Sequence, residues 1–310
     1  MAPRHYTSVL DLSREETLHI LKQAAKLKAK WNSKQKISKR LRGVTLATIY
    51  EKPSLRTRVT FEAGMTQLGG HSIYLGPNDI QIGKREPAAD IARNLSRWVE
   101  IIMTRSFAHT TVTELAENSS IPVINGLSDL EHPCQALADF LTIQERFGEL
   151  RGLKLVYIGD GNNVAHSLML MGALLGVNVV VATPEGYEPQ SAIIERAQEL
   201  AAQSGATVSV TWEAQAAVQD ADVIYTDVWA SMGQESEAEA RKSVFASYQV
   251  TPELMALSGK PATIFMHCLP AHRGEEVAAE VIDGPQSAVI DEAENRLHVQ
   301  KALILWLLGK

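Results

Sequence analysis

Residues 153–182 read LKLVYIGDGNNVAHSLMLMGALLGVNVVVA, and the order of residue types in that stretch decides the fold. The apolar run 153–158 reads as a buried strand, and glycines follow at 159 and 161. The segment 163–176 reads as an apolar helix, and 177–182 as a second, β-branched strand. Strand, glycine turn, buried helix and strand again are the parts of a right-handed crossover in a parallel sheet. The alternation continues downstream, with a helix at 190–205 and strands at 207–212, 221–229 and 262–270, the last two ending in polar or small residues.

Working outward, DLSREETLHILKQAAKLKAKW (11–31) predicts an early helix. Ser13 is its N-cap, Glu16 stands three residues on, and Leu18, Leu21 and Ala25 repeat at helical spacing. GVTLATIYEKPS (43–54) predicts a strand running into a turn, and 113–129 a helix, a short strand and a loop. HPCQALADFLTIQERFG (132–148) reads as a helix bridging two halves, and the apolar last helix packs back onto the body. The alternation from 153 onward therefore indicates an α/β fold on a parallel sheet.

A chain of 310 residues exceeds one typical domain and can bury a substantial core. The net charge of −6 argues against a general nucleic-acid binder, so any anion site must be built locally against the overall field. Cys134 and Cys268 are the only cysteines, far apart and in no metal-ligand spacing, which argues against a disulfide framework or zinc site and fits a reducing compartment. The opening MAPRHYTSVLDLSREE has no apolar leader core, and no stretch is long and apolar enough to span a membrane. A soluble, cytoplasmic protein is expected.

Several short constellations carry chemistry. In PSLRTR (53–58), Ser54 is a good N-cap, and Val59, Phe61, Met65 and Leu68 are expected to form the buried stripe of the helix that follows. A helix start exposes N–H groups, Ser54 and Thr57 add hydroxyls, and Arg56 can grip phosphate oxygens. On local grounds an anion cradle and a capped helix with solvated arginines stand level. Arg105 ends the apolar run VEIIMTR, where α/β sheets bind ligands, though alone it also fits a surface charge.

In HPCQ (132–135), Pro133 suits a first helical turn and leaves His132 and Gln135 at its mouth, able to polarise a carbonyl and bind an amide; a purely structural histidine is the competing reading. GDGNNVAHS (159–167) is a poor dinucleotide fingerprint. Val164 replaces the third glycine, and no acid ends the second strand. A tight turn with Asn163 facing the cleft fits better. Asp227 follows a buried strand and either pairs with a substrate ammonium or caps a loop, while Ser231 and Met232 lie in the small-residue segment after it. Cys268 reads as a polarisable pocket liner rather than a nucleophile, because spacing gives it no base. Arg296 is either another anion contact or a solvated charge near a helix start.

Taken together, EKPSLRTRVTFE, DIQIG, INGLSDLEHPCQALADF, IGDGNN, DVWASMGQE, HCLPAHRGEEV and EAENR resemble the aspartate/ornithine carbamoyltransferase family, with SMG and HCLP resembling its ornithine branch. One departure is Leu55, where many relatives carry threonine; a backbone N–H serves phosphate there either way. The resemblance implies an α/β fold in two domains, each a mainly parallel sheet flanked by helices and the second Rossmann-like: a carbamoyl phosphate-binding domain at 1–133, joined by the C-terminal helix 293–310, an interdomain helix at 134–150, and an ornithine-binding domain at 151–292. It implies transfer of the carbamoyl group to the side-chain amine of L-ornithine, giving L-citrulline and phosphate in arginine metabolism, with no metal or organic cofactor.

By the same resemblance Ser54, Leu55, Arg56, Thr57, Gln81, Arg105 and Arg296 hold carbamoyl phosphate. His132, Pro133, Cys134, Gln135, Cys268 and Leu269 surround its carbamoyl end. Asn163, Asp227, Ser231 and Met232 hold ornithine; Arg105, His132, Cys268 and Asp227 are the catalytic set. A homotrimer or a multiple of trimers is implied, with a neighbour's Gln81 loop completing each site. Putrescine, N-acetylornithine or aspartate as acceptor, and a nicotinamide-dependent dehydrogenase, are the rival readings.

Overall fold

The computed structural model describes residues 3–34, 36–230 and 237–310. It divides into two compact units, Met1–Leu141 with Glu294–Lys310, and Thr142–Ala293. Each is built on its own parallel sheet.

The first unit contains α1 (Arg14–Lys34), β1 (Thr45–Tyr50), α2 (Leu55–Leu68), β2 (His71–Leu75), α3 (Pro77–Ile80), α4 (Ala88–Leu95), β3 (Ile101–Arg105), α5 (His109–Glu117) and β4 (Val123–Leu127). It also takes the start of α6 (Pro133–Phe147). Its strand order is β2-β1-β3-β4, with every pair parallel. The chain therefore leaves β1 toward one edge, returns, and goes to the other. The reversal lies between β1 and β3, whose last residues Tyr50 and Arg105 face each other in register.

The second unit contains β5 (Lys154–Ile158), α7 (Asn163–Leu175), β6 (Asn178–Ala182), α8 (Ser191–Ser204), β7 (Val208–Thr211), α9 (Ala214–Ala217) and β8 (Val223–Thr226). α10 (Ala238–Phe245), α11 (Pro252–Ala256), β9 (Ile264–His267), α12 (Ala279–Ile282) and α13 (Val289–Leu307) complete the chain. The order β7-β6-β5-β8-β9 is again all parallel and reverses between β5 and β8. Buried residues fill both faces of β5, β8 and β9, as crossover helices on both sides require; Val156, Ile158, Ile224 and Phe265 sit in one core cluster with Trp229, Phe245 and Val277.

α1 begins as expected. The Ser13 hydroxyl accepts from the Glu16 N–H at 3.2 Å, and the Ser13 N–H donates to the Glu16 carboxylate at 2.9 Å. Its buried stripe is shifted by one from the expected phase, to Thr17, Ile20, Leu21 and Ala24, leaving Leu18 and Ala25 half-exposed. Thr17 can occupy the buried face because its hydroxyl donates back to the Ser13 carbonyl at 2.9 Å.

α2 buries Thr57, Phe61, Gly64, Met65 and Leu68, which share one helical face. Val59 lies off that face and is 52% exposed, correcting its place in the expected core. α13 starts at Val289, so Arg296 lies two turns inside the helix rather than near its start.

Candidate active site

In the first unit the expected residues gather where the strand order reverses, at the carboxyl ends of β1 and β3, the usual ligand position in open parallel sheets. The Ser54 hydroxyl caps α2 by accepting the Thr57 N–H at 3.2 Å, leaving Leu55 as the first helical residue. The Thr57 hydroxyl is buried and receives two guanidinium groups, Arg296 Nη2 at 3.2 Å and Arg105 Nη1 at 3.5 Å. Arg296 continues the chain of bonds, donating from Nη1 to Gln135 Oε1 at 2.5 Å, and Gln135 donates in turn to Asp139 at 2.8 Å. Arg296, only 1% exposed, is thus a buried member of the cluster and not a solvated charge.

The electrostatics of this cluster are one-sided. His132 is buried just before Pro133, the first residue of α6, and its pKa lies well below the ordinary histidine value. Burial is the main cause; Arg296, Arg105, Arg56 and Lys52 each lower it further. With Arg105 and Arg296 on the Thr57 hydroxyl and Arg56 in its first turn, the start of α2 lies in a positive field that also keeps His132 neutral. Lys52 was not legible as a site residue, yet it is buried, with its ammonium 4.8 Å from the Phe107 ring centre. A lysine between a strand end and a proline is a weak signal on its own.

Burial pushes the Cys134 thiol up to about 12, so it stays protonated, donating to the Asn125 carbonyl at 3.4 Å. Arg58 points elsewhere: it pairs with Glu62 at 3.0 Å and lies over the Tyr74 ring at 3.7 Å. Gln81 stands apart from this bonded cluster, on an exposed turn after α3 with φ 50°.

In the second unit the expected residues again meet at the strand-order reversal, at the ends of β5, β8 and β9. Gly159 takes φ 139°, a backbone shape favouring glycine. Gly161 is glycine because the chain at Glu188 and Pro189 crosses it so closely that a Cβ would lie 2.2 Å from Pro189 N. In a dinucleotide fold such a glycine makes room for pyrophosphate. Here the protein's own backbone takes that room, against the nicotinamide reading.

Asn162 caps α7, accepting the N–H groups of Val164 and Ala165, and donates from Nδ2 to Asp227 at 2.8 Å. Sequence reasoning chose its neighbour Asn163, the first residue of α7, and missed Asn162; a side chain that both caps a helix and reaches 65 residues along the chain has no local signature. Asp227 is buried and also accepts the Val228 N–H at 2.8 Å and the Cys268 thiol at 3.0 Å. Leu269 follows with φ 58°, a left-handed shape costly for leucine, and its N–H donates to His267 Nδ1 at 2.9 Å. Ser231 and Met232 lie outside the described residues.

Asp160, also missed, is buried and pairs with Arg241 at 3.2 Å; burial raises its pKa to about 6 despite that partner. Asp227, His267 and Cys268 bring three ligand-type atoms within 4.8 Å of one another. That closeness has an internal reason, since the thiol is bonded to Asp227 and the imidazole to Leu269 and Glu276.

One cationic group at a helix start and one group centred on a buried aspartate are what a carbamoyl donor and an amino-acid acceptor would need. The family comparisons have the same two-part form. Residues 4–145 match the aspartate/ornithine carbamoyltransferase carbamoyl-P binding domain, and residues 151–307 match the Asp/Orn binding domain of that family.

The ornithine carbamoyltransferase of Thermococcus kodakarensis is 56% identical over 309 residues, covering 100% of this chain and 98% of its own. That of Symbiobacterium thermophilum is 56% identical over 310 residues, covering 99% and 98%. The solved structure of the Pyrococcus furiosus ornithine carbamoyltransferase, 53% identical, superposes with a TM-score of 0.96 over 99% of this chain and 98% of its own. On the residues, the two sheets and these full-length likenesses alike, the chain belongs to the aspartate/ornithine carbamoyltransferase family.

Proposed function

We infer that this chain transfers the carbamoyl group of carbamoyl phosphate to the side-chain amine of L-ornithine, releasing L-citrulline and phosphate. The observation that carries the donor half is the Thr57 hydroxyl at the start of α2 receiving both Arg296 and Arg105, with Arg56 and Lys52 also lowering the pKa of the buried His132. A dianionic phosphate is the complement of those cations. Full-length ornithine carbamoyltransferases at 50–56% identity carry the acceptor.

In this reading Ser54, Leu55, Arg56, Thr57 and the N–H groups at the start of α2 hold the phosphate, with Arg105 and Arg296 alongside. Gln81 is supplied by a neighbouring subunit of a homotrimer or a multiple of trimers. His132, being neutral, donates one ring N–H to the carbamoyl oxygen without adding a full charge to the ground state. Arg105 and the Thr57 hydroxyl share that oxygen as it becomes an oxyanion. Gln135 and the backbone at Cys268 and Leu269 orient the carbamoyl NH₂, and Pro133 and Cys134 shape the mouth of α6.

Asp227 receives the α-ammonium of ornithine, while Asn163, Ser231 and Met232 take its carboxylate end. The side-chain amine, once neutral, attacks the carbonyl carbon beside Cys268. The C–N bond forms, the C–O bond to phosphate breaks, and the amine's proton passes to the departing phosphate. Fixing both reactants contributes much of the rate, since effective molarities reach roughly 10⁵–10⁸ M. A cytoplasmic place in arginine metabolism completes the proposal; no helix among the described residues is long and apolar enough to cross a membrane.

The test is an acceptor panel: purified protein, carbamoyl phosphate, and separately L-ornithine, putrescine, N-acetylornithine and L-aspartate, assayed for the ureido product. Citrulline forming far faster than any other product is expected. Faster turnover of another amine would overturn the acceptor assignment and leave the phosphate assignment standing.

A further inference from the structure

The segment after β9 holds a second cluster of ligating side chains that the reaction does not use. His272, Glu275 and Glu276 bring one imidazole nitrogen and two carboxylate oxygens within 4.8 Å of one another. His272 Nδ1 lies 4.0 Å from Glu275 Oε2 and 3.8 Å from Glu276 Oε2. The turn that carries them is fixed by the backbone: the Glu275 N–H donates to the His272 carbonyl at 2.9 Å, and the Gly274 N–H to the Val277 carbonyl at 2.8 Å.

Glu276 makes this more than an acidic surface cluster. Its side chain is fully buried, and its two oxygens are treated unequally. Oε1 takes the His272 N–H at 2.5 Å and faces His267 Nε2 at 3.2 Å. Oε2 is buried, with no hydrogen-bond donor among the described residues, and faces the His272 ring. A buried carboxylate oxygen without a donor costs free energy that a cation would recover. Glu275 is likewise divided: Oε1 meets Lys242 at 3.1 Å, while Oε2 lies toward His272.

We propose that His272, Glu275 and Glu276 form a site for one first-row transition-metal dication of the zinc type, bound through His272 Nδ1 and the two Oε2 atoms. An imidazole ligand favours zinc-like ions over magnesium or calcium. Bonds of about 2.0–2.2 Å set tetrahedral ligand atoms about 3.4 Å apart. The two distances from His272 need to shorten by only roughly half an ångström, which the exposed His272 and half-exposed Glu275 reach by side-chain rotation about a fixed Glu276. One coordination position is left for water. Because the ion uses Oε2, Oε1 remains with His267, which in turn holds the Leu269 N–H. A bound ion therefore braces the segment carrying Cys268.

The experiment titrates chelator-treated, full-length protein with Co²⁺, a spectroscopic stand-in for zinc, reading ligand-field absorption and melting temperature. Wild type is expected to bind one equivalent, without a thiolate charge-transfer band, and to melt at higher temperature when loaded. His272→Gln and Glu275→Gln should each weaken binding by at least about tenfold and lose the thermal shift. Cys268→Ser should bind as wild type does. Binding undiminished in His272→Gln, a charge-transfer band that disappears in Cys268→Ser, or no binding at millimolar cobalt would each overturn the proposal. None of these readouts depends on transferase activity, so they stand or fall separately from the proposed reaction.

Discussion

The two units place their functional groups at the same topological point and give them opposite electrostatics. In the first, the ends of β1 and β3 collect arginines around a neutral histidine. In the second, the ends of β5, β8 and β9 collect Asp160 and Asp227, with an asparagine and a thiol donating to Asp227. Parallel-sheet geometry fixes where a ligand goes, and the side chains grafted there decide which ligand. An anionic donor and an ammonium-bearing acceptor match that division.

The largest break in the comparison should come from Arg105→Ala. On the proposed reaction it removes a donor to both phosphate and the developing oxyanion, and turnover should fall by about 10²–10³-fold, the usual loss for one such donor. Circular dichroism should show the fold unchanged, and a fall of less than threefold would remove Arg105 from the catalytic set. Asp227→Asn comes next. Losing a charge-assisted bond worth about 1.5–3 kcal/mol should raise the KM for ornithine by roughly 10–10²-fold.

A third prediction concerns pH. Burial, then Lys301 and Lys28, lower the His298 pKa from 6.5 to about 3. In this case the unfolded chain takes up a proton below pH 6.5 that the folded chain refuses. Stability is therefore full above that pH and is lost as pH falls toward 3, by up to about 1.4 kcal/mol per pH unit. His298→Gln should flatten the melting temperature between pH 6.5 and 5; an unchanged slope would contradict the assignment. The smallest effect is expected from Arg58→Ala. Its partly exposed pair with Glu62 and its stacking on Tyr74 contribute about 1 kcal/mol or less, and neither KM should move.

Local chemistry was legible in the sequence, and distant partnership was not. Residues 153–182 showed the parallel fold because strand and helix periods are written in neighbouring residues. The cap at Ser54, the turn at Gly159 and the helix start at Pro133 are local in the same way. The period could still mislead by one residue, as at Leu18 and Val59, where apolar type alone put a side chain inside.

The bonds that assemble the site span the chain: Thr57 to Arg296 across 239 residues, and Asn162 to Asp227 across 65. Spacing carries no trace of such bonds, so Asn162 and Lys52 were missed. For Arg296 the sequence fits both an anion contact and a solvated charge, and only its burial decides between them.

Calorimetric titration of carbamoyl phosphate into Arg56→Ala and Asp227→Asn tests the division of labour most directly. The account predicts that Arg56→Ala loses binding with its fold intact, while Asp227→Asn binds carbamoyl phosphate as the unaltered protein does. Normal binding by Arg56→Ala, or lost binding by Asp227→Asn, would contradict it.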